Sequence, residues 1–434
     1  MRSKFYRSYH HKNTSMALFV KPNTDIDHIK KITMDKKIPP VLKIDLIREY
    51  FAVMDKFPNS LNKDIIWQYR SYMLTKNYES DPETKIINEI LTRENPLKQI
   101  LLDNYDKLDS RRESDTEYIK RLDWITYALK LPTKYKLTNI KNKHRLQQVR
   151  SAIDLEIYQM DHAKDDLLSS IYAYAINPKS NNHSIALYGP PGTGKTALVR
   201  QLANLTDLPF VQVSVGNIND ASYLVGHTYT YHGSEPGHIV KSINRLGFKN
   251  GIIFLDEIDK LSDSHRGTEI LGTLMHLCDF SQNNSFEDKY LDGIPIDMSG
   301  YLFVYSLNDI DKMNKALLSR IGQNIIKVPD YTLADKIIIA EKYIIPNFLS
   351  ELGMDPDLIQ FSPEMISYII TDCVLIPSKG IREFKAQILK IIRMVRYYHI
   401  IKPDEFAYPV ILTKTMINQI LNKDMAIDSK KYFI

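Results

Sequence analysis

The 434-residue sequence predicts an α/β protein: a parallel-sheet αβα sandwich with helical segments before and behind it. Three observations predict this. The short, mostly apolar runs "SIALY", "PFVQVSV", "GIIFLDE" and "YLFVYSLN" have the composition of strands buried on both faces of a sheet. Helical segments separate these runs, as crossovers between parallel strands require. The stretch "ALYGPPGTGKTAL", residues 186–198, sets a glycine-rich turn between the first run and a helix.

The N-terminus, "MRSKFYRSYHHKNTSMALFVKPNT", is basic and has no acidic residue before Asp25. It reads either as a disordered basic start or as a mitochondrial presequence. Residues 1–110 carry helical patterning without a recognisable catalytic cluster. Ile87, Ile90, Leu91, Leu97 and Ile100 fall at helical intervals, interrupted by Pro96. "DTEYIKRLDWITYALKLP" predicts an amphipathic helix with Ile119, Leu122, Ile125 and Leu129 on one stripe, stopped at Pro132, and the basic loop "KYKLTNIKNKHR" follows. Strand and helix then alternate from about residue 140, and the chain turns helical again after "NIIKVPDY". Ser362 caps one late helix, with Pro363 in its first turn, and "GIREFKAQILKIIRMVRYYHII" forms a longer one.

Composition excludes several classes. Charged residues at 25% and hydrophobic ones at 44% are ordinary for a globular protein, and no run approaches the roughly 18 apolar residues of a membrane helix. A net charge of +5 over this length does not by itself point to nucleic acid. Two cysteines, Cys278 and Cys373, cannot build a disulfide framework or a four-thiolate zinc site, which fits a reducing, cytoplasmic setting with the mitochondrial matrix as the alternative.

Gly189, Gly194, Lys195 and Thr196 satisfy G-x-x-x-x-G-K-[ST], and Gly189, Pro190, Pro191, Gly192, Thr193, Gly194, Lys195 and Thr196 make up the cradle. Glycines let backbone N–H groups converge on phosphates, and the following helix adds its positive end. Lys195 is placed to reach the β- and γ-phosphates of ATP, and Thr196 to ligate Mg2+. "GIIFLDEIDK" delivers Asp256 and Glu257 to the same sheet edge. Asp256 suits the Mg2+ shell, and Glu257 suits polarising a water for attack on the γ-phosphate. A switch protein or a kinase needs no base at that position; a hydrolase does.

From about Tyr118 to Leu421 the chain resembles the AAA+ ATPase family, and within it the ATPase module of Lon proteases. "YIKRLDWITYALKLP", "GHTYTYHGSEPG", "DEIDK", "QNNSFEDKYLD", "LLSRI" and "VPDYTLADKIIIAEKYIIP" follow in the family's order and spacing. The resemblance implies a large α/β ATP-binding domain, 151–330, and a small helical lid, 331–423. Before them lie an N-terminal helical region, 1–110, and a linker, 111–150; a tail, 424–434, follows.

The resemblance also implies roles. Asn308 takes the sensor-1 place, Arg320 matches the arginine finger that reaches a neighbouring subunit's γ-phosphate, and Arg382 matches sensor 2. Such cations answer the charge that develops on a transferring phosphoryl group. Tyr158 matches an aromatic near the adenine, although Gln159 stands where the family's Tyr-Gly-Leu motif has glycine; an ordinary core aromatic is the other reading. Tyr231 matches the aromatic of a pore loop that grips polypeptide, with His232 replacing an aliphatic neighbour and Gly226, Gly233 and Gly237 giving the loop mobility. A plain surface turn is the alternative there.

After the lid about a dozen residues remain, too few for the serine–lysine peptidase domain that follows in the family. The expectation is a homo-oligomeric ring, a hexamer, that remodels protein substrates with ATP and Mg2+ and without cutting them. The alternatives are an ATPase serving a separate peptidase in trans, or one acting on nucleic acid, for which no recognition helix or stacking platform is found. No membrane partner is expected.

Overall fold

The computed structural model describes residues 116–421, except 139, 179–183, 217, 219, 232, 262–264, 322–323 and 375–379, together with 86, 89–90, 92–94 and 96–109. The chain divides into two compact units between Asp109 and Ser110. In the first unit Leu97–Asp109 is helical, starting directly after Pro96 with Leu101, Leu102 and Leu108 buried. Proline suits a helix start because its missing N–H has no intrahelical partner there anyway. The readings of the basic N-terminus and of the C-terminal tail lie outside the described residues. No helix among the described residues is long and apolar enough to cross a membrane.

The second unit is built on a five-stranded sheet. Its strands are β1 (Ser184–Tyr188), β2 (Phe210–Ser214), β3 (Gly251–Asp256), β6 (Tyr301–Leu307) and β7 (Ile325–Lys327), ordered β2-β3-β6-β1-β7 and paired in parallel throughout. Two short hairpin strands, β4 (Phe286–Glu287) and β5 (Pro295–Ile296), pair separately between β3 and β6 in sequence. Every residue of β6 is buried, as a central strand covered by helices on both faces demands. Ile185 and Leu187 of β1, Phe254 of β3 and Val304 of β6 meet Leu198 and Leu202 of helix Lys195–Leu205 and Leu167 and Ile171 of helix Asp161–Ile176 in one core. Full burial of one such side chain stabilises by about 1.5–3 kcal/mol. Tyr174 ties strand starts together: its hydroxyl donates to Gly300 O at 2.7 Å and accepts from Gly251 N at 2.9 Å.

Helices Leu333–Ile339, Ile345–Glu351, Pro363–Asp372, Arg382–Ile401 and Lys414–Leu421 surround a separate core that includes Phe348, Ile366, Phe384, Ile388, Ile391 and Ile417. Ser362 accepts from Met365 N and Pro363 opens its helix, as the sequence predicts. A π turn at Ala340–Ile344 joins the first two helices just ahead of Pro346, whose ring removes an N–H donor from the ladder. A further pair, β8 (Ile359–Gln360) and β9 (Val410–Ile411), braces the end of this domain. Tyr331 packs against both cores and marks the junction between them.

Two expectations are corrected. Helix Thr116–Leu129 buries Tyr118, Arg121, Trp124, Ile125, Ala128 and Leu129, while Ile119 stays 51% exposed. The large aromatic faces of Tyr118 and Trp124 take the core, which turns the stripe away from Ile119. The basic stretch 134–145 is not all loop, because Asn142 accepts from His144 N and caps helix Lys143–Glu156.

Candidate active site

The C-terminal ends of β1, β3 and β6 lie side by side, and the residues that leave them meet there. The loop after β1 is the glycine-rich turn. Gly192 and Gly194 adopt φ of +76° and +98°, a left-handed region that favours glycine. At Gly189 a Cβ would stand 2.2 Å from Val328 O, so only glycine fits the approach to the strand-end of β7. Thr193 is fully buried and donates to Pro190 O at 2.9 Å, fixing the turn from inside.

Lys195 is 7% exposed, and its ammonium donates to Gly189 O at 2.6 Å, Pro190 O at 3.1 Å and Asn308 Oδ1 at 3.0 Å. Burial pulls its proton affinity below the usual lysine range, while Asp256 and Asp259 pull it back. Asn308 directly follows β6, so its amide oxygen joins the end of β6 to Lys195 behind the β1 loop. Asp256 closes β3 and accepts from Gln212 Nε2 of β2 and from Glu257 N, both at 3.0 Å. Gln212 in turn accepts from Arg200 at 3.0 Å, which orients the amide that holds the carboxylate.

Glu257 has φ +63°, an uncommon backbone for a residue with a side chain and one that turns its carboxylate out of the strand line. That carboxylate accepts from Lys260 at 2.6 Å. On its other side stands Gly216, where a Cβ would come 2.7 Å from Glu257 Oε2 and 2.8 Å from Glu257 Cβ. Sequence reasoning passed over Gly216, although a glycine just past the second strand was the available signal. It also passed over Asp259, whose Oδ1 is buried and finds no hydrogen-bond partner among the described residues.

The helical domain reaches this edge. Ile381 N donates to Gly192 O at 2.9 Å, and Arg382 lies beside Gly192, its Cβ 3.4 Å from where a Cβ would sit. Tyr158 is half-buried against the helical-domain core, with its ring centroid 6.4 Å from that of Tyr343. Arg320 stands apart: its exposed guanidinium bonds Asp279 at 3.2 Å rather than any group named above.

Tyr231 is 68% exposed at the tip of a loop between helices Ser222–Val225 and His238–Leu246. His232 lies outside the described residues. The glycines at the loop's base serve close packing rather than the mobility expected of them. A Cβ on Gly237 would meet Leu224 O at 2.0 Å, and one on Gly226 would meet Gly237 N at 2.8 Å. The buried carboxylate of Asp288 seals this base by accepting from Gly237 N at 2.8 Å, Tyr290 N at 2.9 Å and Leu291 N at 3.2 Å. Only Gly233, with φ +74° and open space around it, acts as a free turn.

The donor set suits a nucleotide triphosphate: positive-φ glycines with nothing but backbone, one buried ammonium, and a helix beginning at Lys195. It suits Mg2+ as well. No group of three or more His, Cys, Asp or Glu that could hold a metal occurs among the described residues. One carboxylate and one hydroxyl completed by phosphate oxygens is how this ion is usually bound beside a nucleotide.

Residues 185–329 match the family described as "ATPase family associated with various cellular activities (AAA)". Fold, site and match together define an AAA ATPase domain. The relatives it matches include Lon proteases. The chain is 34% identical over 262 residues to a Lon protease homolog of Acanthamoeba polyphaga mimivirus, covering 59% of this chain and 25% of that protein. It is 28% identical over 359 residues to the Lon protease of Clostridium beijerinckii, covering 79% and 44%. It is 35% identical over 255 residues to Lon protease 2 of Borreliella burgdorferi, covering 59% and 31%. The chain thus carries a Lon-like AAA domain and spans between a quarter and somewhat under half the length of these relatives.

Proposed function

We propose that the chain is an Mg2+-dependent, Lon-like AAA+ ATPase that works in the cytoplasm as a homo-oligomeric ring, a hexamer, and remodels or unfolds protein substrates. The observation that carries the reading is the pairing of two features in one domain. One is a P-loop whose lysine donates to the asparagine at the end of β6; the other is an exposed tyrosine on a loop pinned at its base.

The residues divide the work. Backbone N–H groups of Gly192, Thr193 and Gly194 and the Lys195 ammonium bind the phosphates, and Tyr158 lies on the adenine side. Mg2+, when bound through Thr196 and Asp256, neutralises charge on the phosphate oxygens. Glu257 orients a water and accepts its proton, and Asn308 holds that water and the Lys195 head in register. Arg382 supplies a cation from the helical domain, and Arg320 supplies one to the pocket of the neighbouring copy. Tyr231, with His232 beside it, grips the polypeptide. A flat aromatic does this without reading sequence.

ATP turnover measured alone, with an unfolded polypeptide and with DNA tests the reading. Stimulation by the polypeptide and none by DNA is expected. Stimulation by DNA that falls steeply with salt would move the activity to nucleic acid. Degradation of the polypeptide only when a peptidase is added would favour an ATPase serving a partner in trans.

A further inference from the structure

We infer that Gln159 is a positioning residue that latches the helical domain to the nucleotide cradle through Asp335 and so sets how fast spent nucleotide leaves; the inference rests on reading the P-loop as an ATP site. The starting observation is a strained turn. Gln159 and Met160 both adopt positive φ, 52° and 63°, where residues with side chains are uncommon and glycine is at ease. Backbone of this kind persists where surrounding contacts determine it, and the contacts here point in opposite directions.

Met160 turns inward. It is buried, and its Cε lies 3.9 Å from where a Cβ on Gly194 of the cradle would sit. Gln159 turns outward, and its Nε2 donates to Asp335 Oδ1 at 2.7 Å. Asp335 is buried and caps helix Leu333–Ile339: its Oδ2 accepts from Thr332 N at 2.9 Å and from Thr332 Oγ1 at 2.6 Å. The capping box thus occupies one carboxylate oxygen, and Gln159 takes the other. Two consecutive side chains thereby connect the cradle to the first helix of the helical domain.

Two other cradle-to-helical-domain contacts are made by main chain. Ile381 N donates to Gly192 O, and a Cβ on Gly380 would stand 2.2 Å from Pro191 O. The Gln159–Asp335 bond differs because a side chain makes it, and it must break if the helical domain swings off the cradle. A glycine at 159 would relieve the backbone but leave Asp335 Oδ1 without this charge-assisted donor. The geometry therefore gives the glutamine a reason to occupy a position that favours glycine.

Release of a fluorescent ADP analogue from the full chain, chased with excess ADP, tests the latch. Gln159→Leu keeps the bulk and removes the donor; Gln159→Gly also removes the backbone strain and guards against a folding artefact. Both are expected to release the analogue about fivefold faster, the effect of one net hydrogen bond. Gln159→Glu sets a second carboxylate against Asp335, whose other facing groups are Thr332 and the half-buried Tyr331, with Lys336 next in sequence. Its release should be faster still at neutral pH and should slow towards the wild-type rate once the pH is low enough to protonate one of the two carboxyls. A purely structural role for residue 159 gives no such profile.

Wild-type release from Gln159→Leu, and from Gln159→Glu at neutral and at acid pH, would overturn the latch. If the wild-type chain retains the analogue and Lys195→Ala does not, the ATP site stands and only the latch falls. If the wild-type chain retains none, both readings fall.

Discussion

Lys195 and Asn308 share a hydrogen bond of 3.0 Å that joins the loop after β1 to the residue after β6. The pair differs in the kind of contact each makes. Lys195 also holds two loop carbonyls and is the buried cation of the cradle, so Lys195→Ala should abolish nucleotide binding. Asn308→Ala removes one polar contact and leaves the loop intact. Its ATP turnover should fall about 100-fold, the size of one preorganised donor, with affinity changed about threefold or less. Phosphate release and binding of a fluorescent ATP analogue separate the two outcomes.

Glu257 and Gly216 give a paired test. Glu257→Gln keeps shape and removes the proposed base, so ATP binding should persist while turnover drops about 10²–10⁴-fold. Gly216→Ala leaves the carboxylate in place chemically but forces a methyl to 2.7 Å from Oε2. The carboxylate must then shift, and the variant should show the same split between retained binding and lost turnover. Wild-type turnover in Glu257→Gln would show that the base is elsewhere.

Much of this arrangement was legible in the sequence because its parts are local. Apolar runs fix strands, and G-x-x-x-x-G-K-T and the Asp256-Glu257 pair carry their chemistry in adjacent residues. What stayed hidden depends on residues brought together from afar. Strand β7 is three residues long and pairs along one edge, too short to show a pattern. Gly216 matters only because β2 ends beside β3, and Gln159 only because Asp335 folds back onto it. Gly226 and Gly237 looked like sources of mobility since sequence cannot show that their backbones cross within a methyl's width.

Asp288 predicts a pH dependence of stability. Burial raises its carboxyl from 3.8 to about 6, against the three backbone N–H groups that favour the charged form. Between those values the folded chain holds a proton that the unfolded chain has released. This group's contribution is therefore present below about pH 4 and lost as pH rises through about 6. Asp288→Asn removes that slope. It also sets an amide against backbone donors, so it should lower stability at pH 7 by about 1–3 kcal/mol. Denaturant midpoints from pH 4 to 7 for both proteins are the measurement.

Tyr231 is exposed and its loop base is held without it, so Tyr231→Ala should fold normally and keep its basal ATP turnover. The stimulation by unfolded polypeptide should disappear. Stimulation equal to wild type would assign the loop to surface and send the search for a gripping residue elsewhere.

Arg320 distinguishes a shared pocket from a private one. Its partner within the chain is Asp279, and both are solvent-accessible enough that the pair contributes about 1 kcal/mol or less to folding. Arg320→Ala should therefore melt like wild type. If its guanidinium serves a neighbour, the variant alone should lose about 10³-fold or more in turnover, as finger arginines do. Mixing it with Lys195→Ala subunits is the decisive arm. The first variant has an intact cradle and no finger, the second a finger and no cradle. Mixed assemblies should regain turnover where an intact cradle faces an intact finger. Activity that stays at the level of the separate variants, in mixtures shown to co-assemble, would place Arg320 outside the reaction and leave its bond to Asp279 as its whole role.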